Sequence, residues 1–305
     1  MEASVPELRL PPLRAFLRLS RPLFLYGGFA GVALGAGVAH RAGHALDAAT
    51  YLWVQLLVSS FHLMVHYAND YFDRESDARA VPTRWSGGSR VLVDGHLGPR
   101  VALIASLVCA AAGFVACARF VLAGNPLVAA LGVAIFVFAW CYSAPPVRFA
   151  ARGLGELDTA LVVAVLFPFA AYAAFAGRID EPAALAAIAP AAAMIAMMLG
   201  VELPDAGCDS DAGKRNLVVR WGSARAAQLI VASSAFAALF AVLLSARLHA
   251  GFAALALAPA VLAAAQLVRL ATGDRRPGPI AFWGVAFYAM TVTGLAAVYA
   301  LAPAR

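Results

Sequence analysis

Asn69-Asp70-Tyr71-Phe72-Asp73-Arg74-Glu75-Ser76-Asp77 closes the apolar run 50–68 with an amide and four carboxylates. A helical run of that length spans a hydrocarbon core about 30 Å thick. Acids at such a boundary are costly and call for a purpose. The pattern returns about 130 residues later, where Glu202, Asp205, Asp209 and Asp211 follow the run 182–201. Two acid clusters at the mouth of a helix bundle suggest a site for divalent cations and a polyanion.

Outward from these clusters the chain is uniformly greasy. Of its 305 residues 63% are hydrophobic and 13% charged, with a mean hydropathy of +0.80. A soluble domain carries nearer a quarter charged residues. The sequence predicts an all-α polytopic membrane bundle, one domain over 1–305, with nine spans near 23–39, 50–68, 100–122, 126–143, 154–176, 182–201, 226–245, 250–271 and 279–301. Residues 1–22, with scattered prolines and arginines and no small-residue cleavage signature, read as a cytosolic lead-in helix. Gly27, Gly28, Gly31, Gly35, Pro168 and Pro190 fall inside spans, which is tolerated where neighbouring helices satisfy the backbone. Abundant small residues suit close helix packing in lipid.

Charge orients the bundle. With nine spans, segments 1–22, 69–100, 144–153, 202–225 and 269–278 share one side and hold 18 of the 23 Lys and Arg. The positive-inside rule makes that side cytoplasmic, so the motif loops 69–99 and 202–225 face the cytoplasm of a multi-pass inner-membrane protein. The net charge of +6 then reflects topology plus an anion site. No nucleic-acid motif is present, and no such partner is expected. Cys109, Cys117, Cys141 and Cys208 lack Cys-x-x-Cys spacing and read as small apolar residues.

On a helix Asp70, Asp73 and Asp77 fall within an arc of about 60°, with Asn69 beside them offering a carbonyl oxygen. Three carboxylates on one stripe repel one another unless a cation lies between them. Oxygen ligands without His or Cys suit Mg²⁺. Asp205 and Asp209, one turn apart, share a face, with Pro204 expected to break the sixth span just before them. Asp211 points away and reads as solvated, while Glu202 either supports the site or turns to a neighbouring helix. The metal set is therefore Asn69, Asp70, Asp73, Asp77, Asp205 and Asp209, and the five aspartates are the catalytic candidates. Arg74, Arg84 and Arg90 follow the first cluster and Lys214 and Arg215 the second. Arg148 follows Tyr142-Ser143-Ala144-Pro145-Pro146. Arg and Lys bind phosphate oxygens well, which makes Asn69, Arg74, Arg90, Tyr142, Arg148 and Lys214 the substrate-binding candidates. Arg100, Arg220 and Arg225 read as topology signal.

Asn-Asp-x-x-Asp-x-x-x-Asp at 69–77, Tyr-Ser-x-Pro-Pro-x-Arg at 142–148, and Asp-x-x-x-Asp at 205–209 before Gly-Lys-Arg-Asn-Leu-Val-Val-Arg-Trp-Gly at 213–222 resemble the UbiA superfamily of intramembrane prenyltransferases. The resemblance covers nearly the whole chain. It implies that both acid motifs hold Mg²⁺ that binds the diphosphate of a prenyl donor. It also implies a largely apolar central cavity open to the cytoplasmic side and to lipid. Ser86-Gly87-Gly88-Ser89-Arg90-Val91-Leu92, with Lys214-Arg215 and Leu217-Val218-Val219-Arg220, is most similar to the 1,4-dihydroxy-2-naphthoate prenyltransferases of menaquinone synthesis. Val201 stands where those enzymes commonly carry Asn, which leaves the acceptor, an aromatic or a lipid, open.

The chemistry implied is departure of diphosphate, leaving an allylic cation that the acceptor attacks. Aromatic residues such as Phe61, Tyr67, Phe72, Phe138, Tyr142, Phe149, Phe167 and Phe169 could shield it, although packing explains most of them as well. His62 and His66 share a helix face, and both acceptor contact and hydrogen bonding within the bundle stay open for them. A lipid-ether prenyltransferase or a terpene cyclase would use the same site. An ion-coupled transporter would place acids near mid-span and show internal repeats, whereas these acids lie at span ends. The Asp-Gly-x-x-Ala-Arg signature of CDP-alcohol phosphotransferases is absent.

Overall fold

A computed structural model describes residues 10–79, 88–273 and 276–301. Arg84, Ser86, Gly87, Arg275, Arg305 and residues 1–9 of the lead-in lie outside the described residues. Among those described, every regular element is helical. A short α1 (Pro12–Leu19) leads into α2 (Pro22–Arg41), α3 (Ala48–Asp77), α4 (Pro99–Leu122) and α5 (Pro126–Ser143). Next come α6 (Gly155–Leu161), a π turn (Val162–Leu166) and α7 (Phe167–Ala176), then α8 (Glu181–Glu202), a 3₁₀ turn (Leu203–Asp205) and α9 (Ala206–Asp211). Two helices, α10 (Leu217–Thr272) and α11 (Pro277–Leu301), complete the chain. Among the described residues, nine helical stretches are long and apolar enough to cross a membrane.

Local chemistry sets the helix ends. Proline occupies the first turn of α2, α4, α5 and α8, where its missing N–H costs nothing and its fixed φ suits a helix. Asp47 caps α3 by accepting from the Thr50 N–H (2.8 Å), and Asn216 caps α10 by accepting from the Val219 N–H (2.9 Å). The π turn precedes Pro168, which cannot donate to the carbonyl four residues back, so the helix takes up a wider turn there.

Three features differ from the sequence reading. Helix α3 does not stop at 68 but continues to Asp77, so the acids share a helix face as their spacing suggests and the connection expected from 69 begins only after them. The connection expected at 202–225 is largely helical too, leaving five residues, 212–216, between α9 and α10. Third, helical backbone runs without a break through the connection expected between the spans at 226–245 and 250–271, which remain two span-length stretches. Thr272 nonetheless shares a small cavity with Ala224, Ala227 and Gln228. The apolar stretches Leu217–Leu248 and Phe252–Thr272 therefore lie side by side, because a straight helix at 1.5 Å per residue would hold those residues far apart.

Apolar residues cover the outside as well as the interior, in the way lipid allows. Leu107, Val115, Leu122, Leu239, Leu243 and Leu262 are exposed, while Phe61, Phe167, Tyr172 and Phe287 fill the interior. Gly35 marks the closest approach of α2 to α7, since a Cβ there would strike the Pro168 carbonyl oxygen and the Tyr172 amide nitrogen. Backbone cannot move aside as a flexible side chain can. Gly35→Ala is therefore expected to lower the melting temperature in detergent, with an overpacking cost of about 1–3 kcal/mol or more. An unchanged melt would show that α2 and α7 separate freely.

Candidate active site

Because α3 runs through its acid motif, Asn69, Asp73 and Asp77 stand four residues apart and stack along one face. All three line a cavity of about 530 Å³. Asp73 and Asp77 are buried. Gly88, at φ 72°, passes so close to Asp77 that a Cβ would collide with its Oδ2. The Arg90 Nη1 donates to the Asp77 backbone carbonyl at 2.7 Å and Nη2 to Asp94 at 3.0 Å, closing the end of α3. Arg90 also lines the cavity.

Asp70 sits at the far edge of this arc, about 100° round from Asn69, and the cavity lining does not include it. Its carboxylate accepts from the Arg21 guanidinium, from the Ser89 hydroxyl and from the Ser89 N–H (3.3 Å). Asp70 is thus paired with Arg21 beside the cavity, and a cation held there would have to share its carboxylate with that guanidinium. Asn69 is similarly engaged. Its Nδ2 donates to Asp73 Oδ2 and to Ser143 Oγ, both at 2.7 Å, and its carbonyl accepts from Arg21 at 3.1 Å. The oxygen that the sequence offered to a metal is shared with that guanidinium. Arg74 departs from expectation. It donates to the Tyr71 carbonyl at 2.6 Å and lies over the Tyr71 ring, outside the cavity lining.

The second motif meets the first across the cavity. Asp205 and Asp209 line it together with Glu202, whose Oε2 has no hydrogen-bond partner. Asp209 is held by its own loop. Asn216 donates to Oδ2 at 2.8 Å, Lys214 Nζ lies 3.6 Å from Oδ1, and the Lys214 N–H donates to the Asp209 carbonyl at 2.9 Å. Burial opposes the charge on Lys214, but Asp209, Asp73 and Asp77 together outweigh it and hold its pKa above the usual value. Arg148 Nη2 lies 3.6 Å from Asp73 Oδ1, although Arg148 itself is not part of the lining. Tyr142 is. Asp211 is exposed.

Beyond this polar end the wall turns apolar, with Phe61, Val65, Val163, Phe167, Met194 and Met197 among its residues. Leu23 and Tyr26 line its rim and are exposed on the outer surface, so the cavity reaches the lipid-facing side between α2 and α11. There Thr293 donates to the Ala289 carbonyl and Tyr26 donates to the Thr293 hydroxyl at 2.5 Å. The arrangement can hold a molecule with a highly charged head and a hydrocarbon tail that enters from the bilayer.

The UbiA prenyltransferase family matches residues 29–291. The chain belongs to that family. Its fold agrees with a solved UbiA homologue from Aeropyrum pernix K1 (TM-score 0.70, 16% identity, 88% of this chain and 96% of that one). It also agrees with a UbiA homologue from Archaeoglobus fulgidus determined with GPP and Mg²⁺ (TM-score 0.62, 18% identity, 94% and 100%). A curated relative, protoheme IX farnesyltransferase of Klebsiella pneumoniae, is 29% identical over 175 residues, which is 56% of this chain and 55% of that protein. The enzyme of the same name from Sodalis glossinidius is 34% identical over 127 residues, 41% of this chain and 39% of that one. The matched stretches thus span about half or less of these curated relatives.

Sequence reasoning did not find Arg21, Ser89, Ser143, Asn216 or Glu156 as parts of this UbiA-family site. Arg21 looks like one more topology arginine, and only the fold brings it to Asp70, 49 residues on. Glu156 is completely buried and accepts from the Leu217 N–H at 2.5 Å, fixing the first turn of α10. Arg215, which follows the second acid cluster, donates its N–H to the Ala151 carbonyl and ties the same two loops together.

Proposed function

We propose that this protein transfers a prenyl group from a prenyl diphosphate to an aromatic acceptor with the help of Mg²⁺. The observation that carries this is one cavity with Asp73 and Asp77 on one wall, Asp205 and Asp209 on the other, Lys214 between them, and an apolar remainder reaching the lipid side. Among the described residues no three His, Cys, Asp or Glu side chains converge to enclose a metal alone. The donors on the cavity are carboxylate oxygens, which suit Mg²⁺, a hard cation that binds through one or two carboxylates and completes its shell with water and substrate phosphates. Asp73, Asp77, Asp205 and Asp209 are the residues that would hold it. When bound, the metal neutralises the diphosphate and makes it a better leaving group.

The chain's own groups then divide the work. Lys214 and Arg148, each beside an acid, bind diphosphate oxygens as the carbon–oxygen bond to the allylic carbon breaks and its electron pair leaves with the diphosphate. Asp70 holds Arg21, which fixes Asn69 against Asp73. Phe61, Tyr142 and Phe167 offer ring faces to the allylic cation, and the Met and Val wall excludes the water that would capture it. The acceptor carbon forms the new carbon–carbon bond and sheds a proton or a carboxyl group.

For the acceptor, residues 213–220 and the stretch after the first motif favour a quinone precursor such as 1,4-dihydroxy-2-naphthoate. The names of the curated relatives favour a porphyrin. Those matches cover about half or less of the relatives, so the naphthoate is the reading put first. By the Lys and Arg bias, the acid pole faces the cytoplasm of the inner membrane. Labelling from outside intact cells of a cysteine placed at position 96 would contradict that orientation. Purified protein given farnesyl or geranylgeranyl diphosphate, Mg²⁺ and dihydroxynaphthoate is expected to release diphosphate and form prenylated arene, and EDTA should abolish both. Release that persists in EDTA would overturn the metal-dependent reading.

A further inference from the structure

The apolar end of the cavity contains two polar groups that the donor cannot use. His62, on α3, is 6% exposed and lines the cavity, yet its Nδ1 is fully buried without a hydrogen-bond partner. Tyr288, on α11, is 4% exposed, also lines the cavity, and its hydroxyl is equally unpartnered. Buried polar atoms in native proteins are nearly always paired, so the Tyr288 hydroxyl calls for a partner from the cavity, whereas His62 Nδ1, packed on Gly28, is closed to one and leaves the ring's other nitrogen for a ligand. The two residues are neighbours. A side chain added at Gly27 would lie 3.6 Å from Tyr288 Cε1 and 4.0 Å from His62 Cε1, so the rings flank one spot on α2.

The orientation of His62 is set by its surroundings. Nδ1 packs against Gly28, where a Cβ would come within 2.8 Å. Phe167 and His66 lie against the ring, with centroids at 5.2 and 4.8 Å. A proton on Nδ1 would be stranded with no acceptor, so the tautomer that suits this packing carries it on Nε2. Because Nδ1 is sealed off, the ring meets the cavity by another edge, and Nε2–H is the donor available to a ligand. His66 cannot take the same part through Nδ1, which donates to the Ser20 carbonyl at 3.0 Å.

A prenyl tail is hydrocarbon and its diphosphate sits at the acid pole. Neither end of the donor satisfies a hydrogen-bonding pair deep among Val163, Phe167, Met194 and Met197. We propose that His62 and Tyr288 bind an oxygen substituent of the acceptor, which makes the acceptor a hydroxyl-bearing arene. This deepens the prenyl-transfer reading and rests on it. The imidazole N–H donates to the arene oxygen, while the Tyr288 hydroxyl donates to or accepts from the same group. An arene so held lies between the apolar wall and the allylic carbon. His62 and Tyr288 are positioning residues for the ring that attacks.

The test uses Tyr288→Phe, which removes one oxygen and keeps the ring, and His62→Phe, assayed with 1,4-dihydroxy-2-naphthoate, farnesyl diphosphate and Mg²⁺. Each variant is expected to raise KM for the arene about tenfold, the scale of one lost hydrogen bond, with KM for the diphosphate within twofold of wild type. Binding of the arene without donor, followed by thermal shift, should weaken in parallel. Unchanged arene binding in both variants overturns the proposal, as do equal rises in both KM values, which would mark a packing role. Protohaem acting as substrate, with a Soret shift on binding that His62→Phe abolishes, would assign His62 to iron and overturn it too. Wild type that binds the arene but never releases diphosphate would refute prenyl transfer, while the donor-free binding comparison still judges the pair.

Discussion

Asp73→Asn and Asp209→Asn are each expected to cut metal-dependent diphosphate release and prenyl transfer by a hundredfold or more. The substitution preserves side-chain size and hydrogen-bonding shape, so the fold should survive. Asp73 keeps Asn69 and Ser143 as neighbours at 2.7 and 3.4 Å, and Asp209 keeps Asn216 at 2.8 Å. The change removes one negative charge from a pole that must bind Mg²⁺ against competition from water. If each carboxylate contributes about 3 kcal/mol of leaving-group stabilisation, the loss is about two decades at ~1.4 kcal/mol per decade. Asp211→Asn is the control, because Asp211 is exposed and takes no part in the cavity; it should retain wild-type rates. Diphosphate release from a labelled donor, with detergent melts to confirm folding, decides the matter. Either Asn variant keeping more than a tenth of wild-type activity would remove these carboxylates from the mechanism.

How much of this was legible in the sequence depends on whether the information is local. Span number and helical class follow from runs of apolar residues, each able to satisfy its own backbone only as a helix. The stripes of acids follow from the helical repeat, which is why Asp73, Asp77, Asp205 and Asp209 come together on one cavity. What the sequence left unread was the set of partners arriving from elsewhere in the chain, such as Arg21 and Ser89 at Asp70. Asp70 lies within the same arc as Asp73 and Asp77 and is chemically identical to them; only the fold shows that Arg21 and Ser89 share its carboxylate. Arg74 is adjacent to the motif in sequence yet points to Tyr71 and away from the cavity. Span ends were misjudged for a related reason. Asn69 to Asp77 falls outside the apolar run by hydropathy, but the helical backbone of α3 carries on through it to Asp77. Glu156 carried no usable signal, since a lone acid at the start of a span resembles topology until Leu217 is seen to donate to it.

The ion pair between Arg21 and Asp70 yields the second large effect. Asp70 is 3% exposed and Arg21 21% at the side chain, and the guanidinium also donates to Asn69 Oδ1 at 3.1 Å. Burial works against the charge on Arg21, but the Asp70 charge and hydrogen bond outweigh it and raise its pKa. Arg21→Ala should therefore do two separable things. It strands a buried carboxylate, which costs about 3–5 kcal/mol for a fully buried pair and somewhat less here because Arg21 is partly exposed. It also frees Asn69 from the side that orients it toward Asp73. Asp70→Leu alone should destabilise comparably, by leaving Arg21 unpaired. Arg21→Met combined with Asp70→Leu replaces both charges with apolar groups of similar size, so stability should return to near wild type, since a buried pair often adds no more than its apolar replacement. Activity should not return, because the double variant still lacks the cation that holds Asn69 in place. A double-mutant cycle in detergent melts, run beside diphosphate release, separates the two effects. Additive destabilisation in the double variant would show that the pair does not couple. Full recovery of turnover would show that Arg21 serves only to neutralise Asp70.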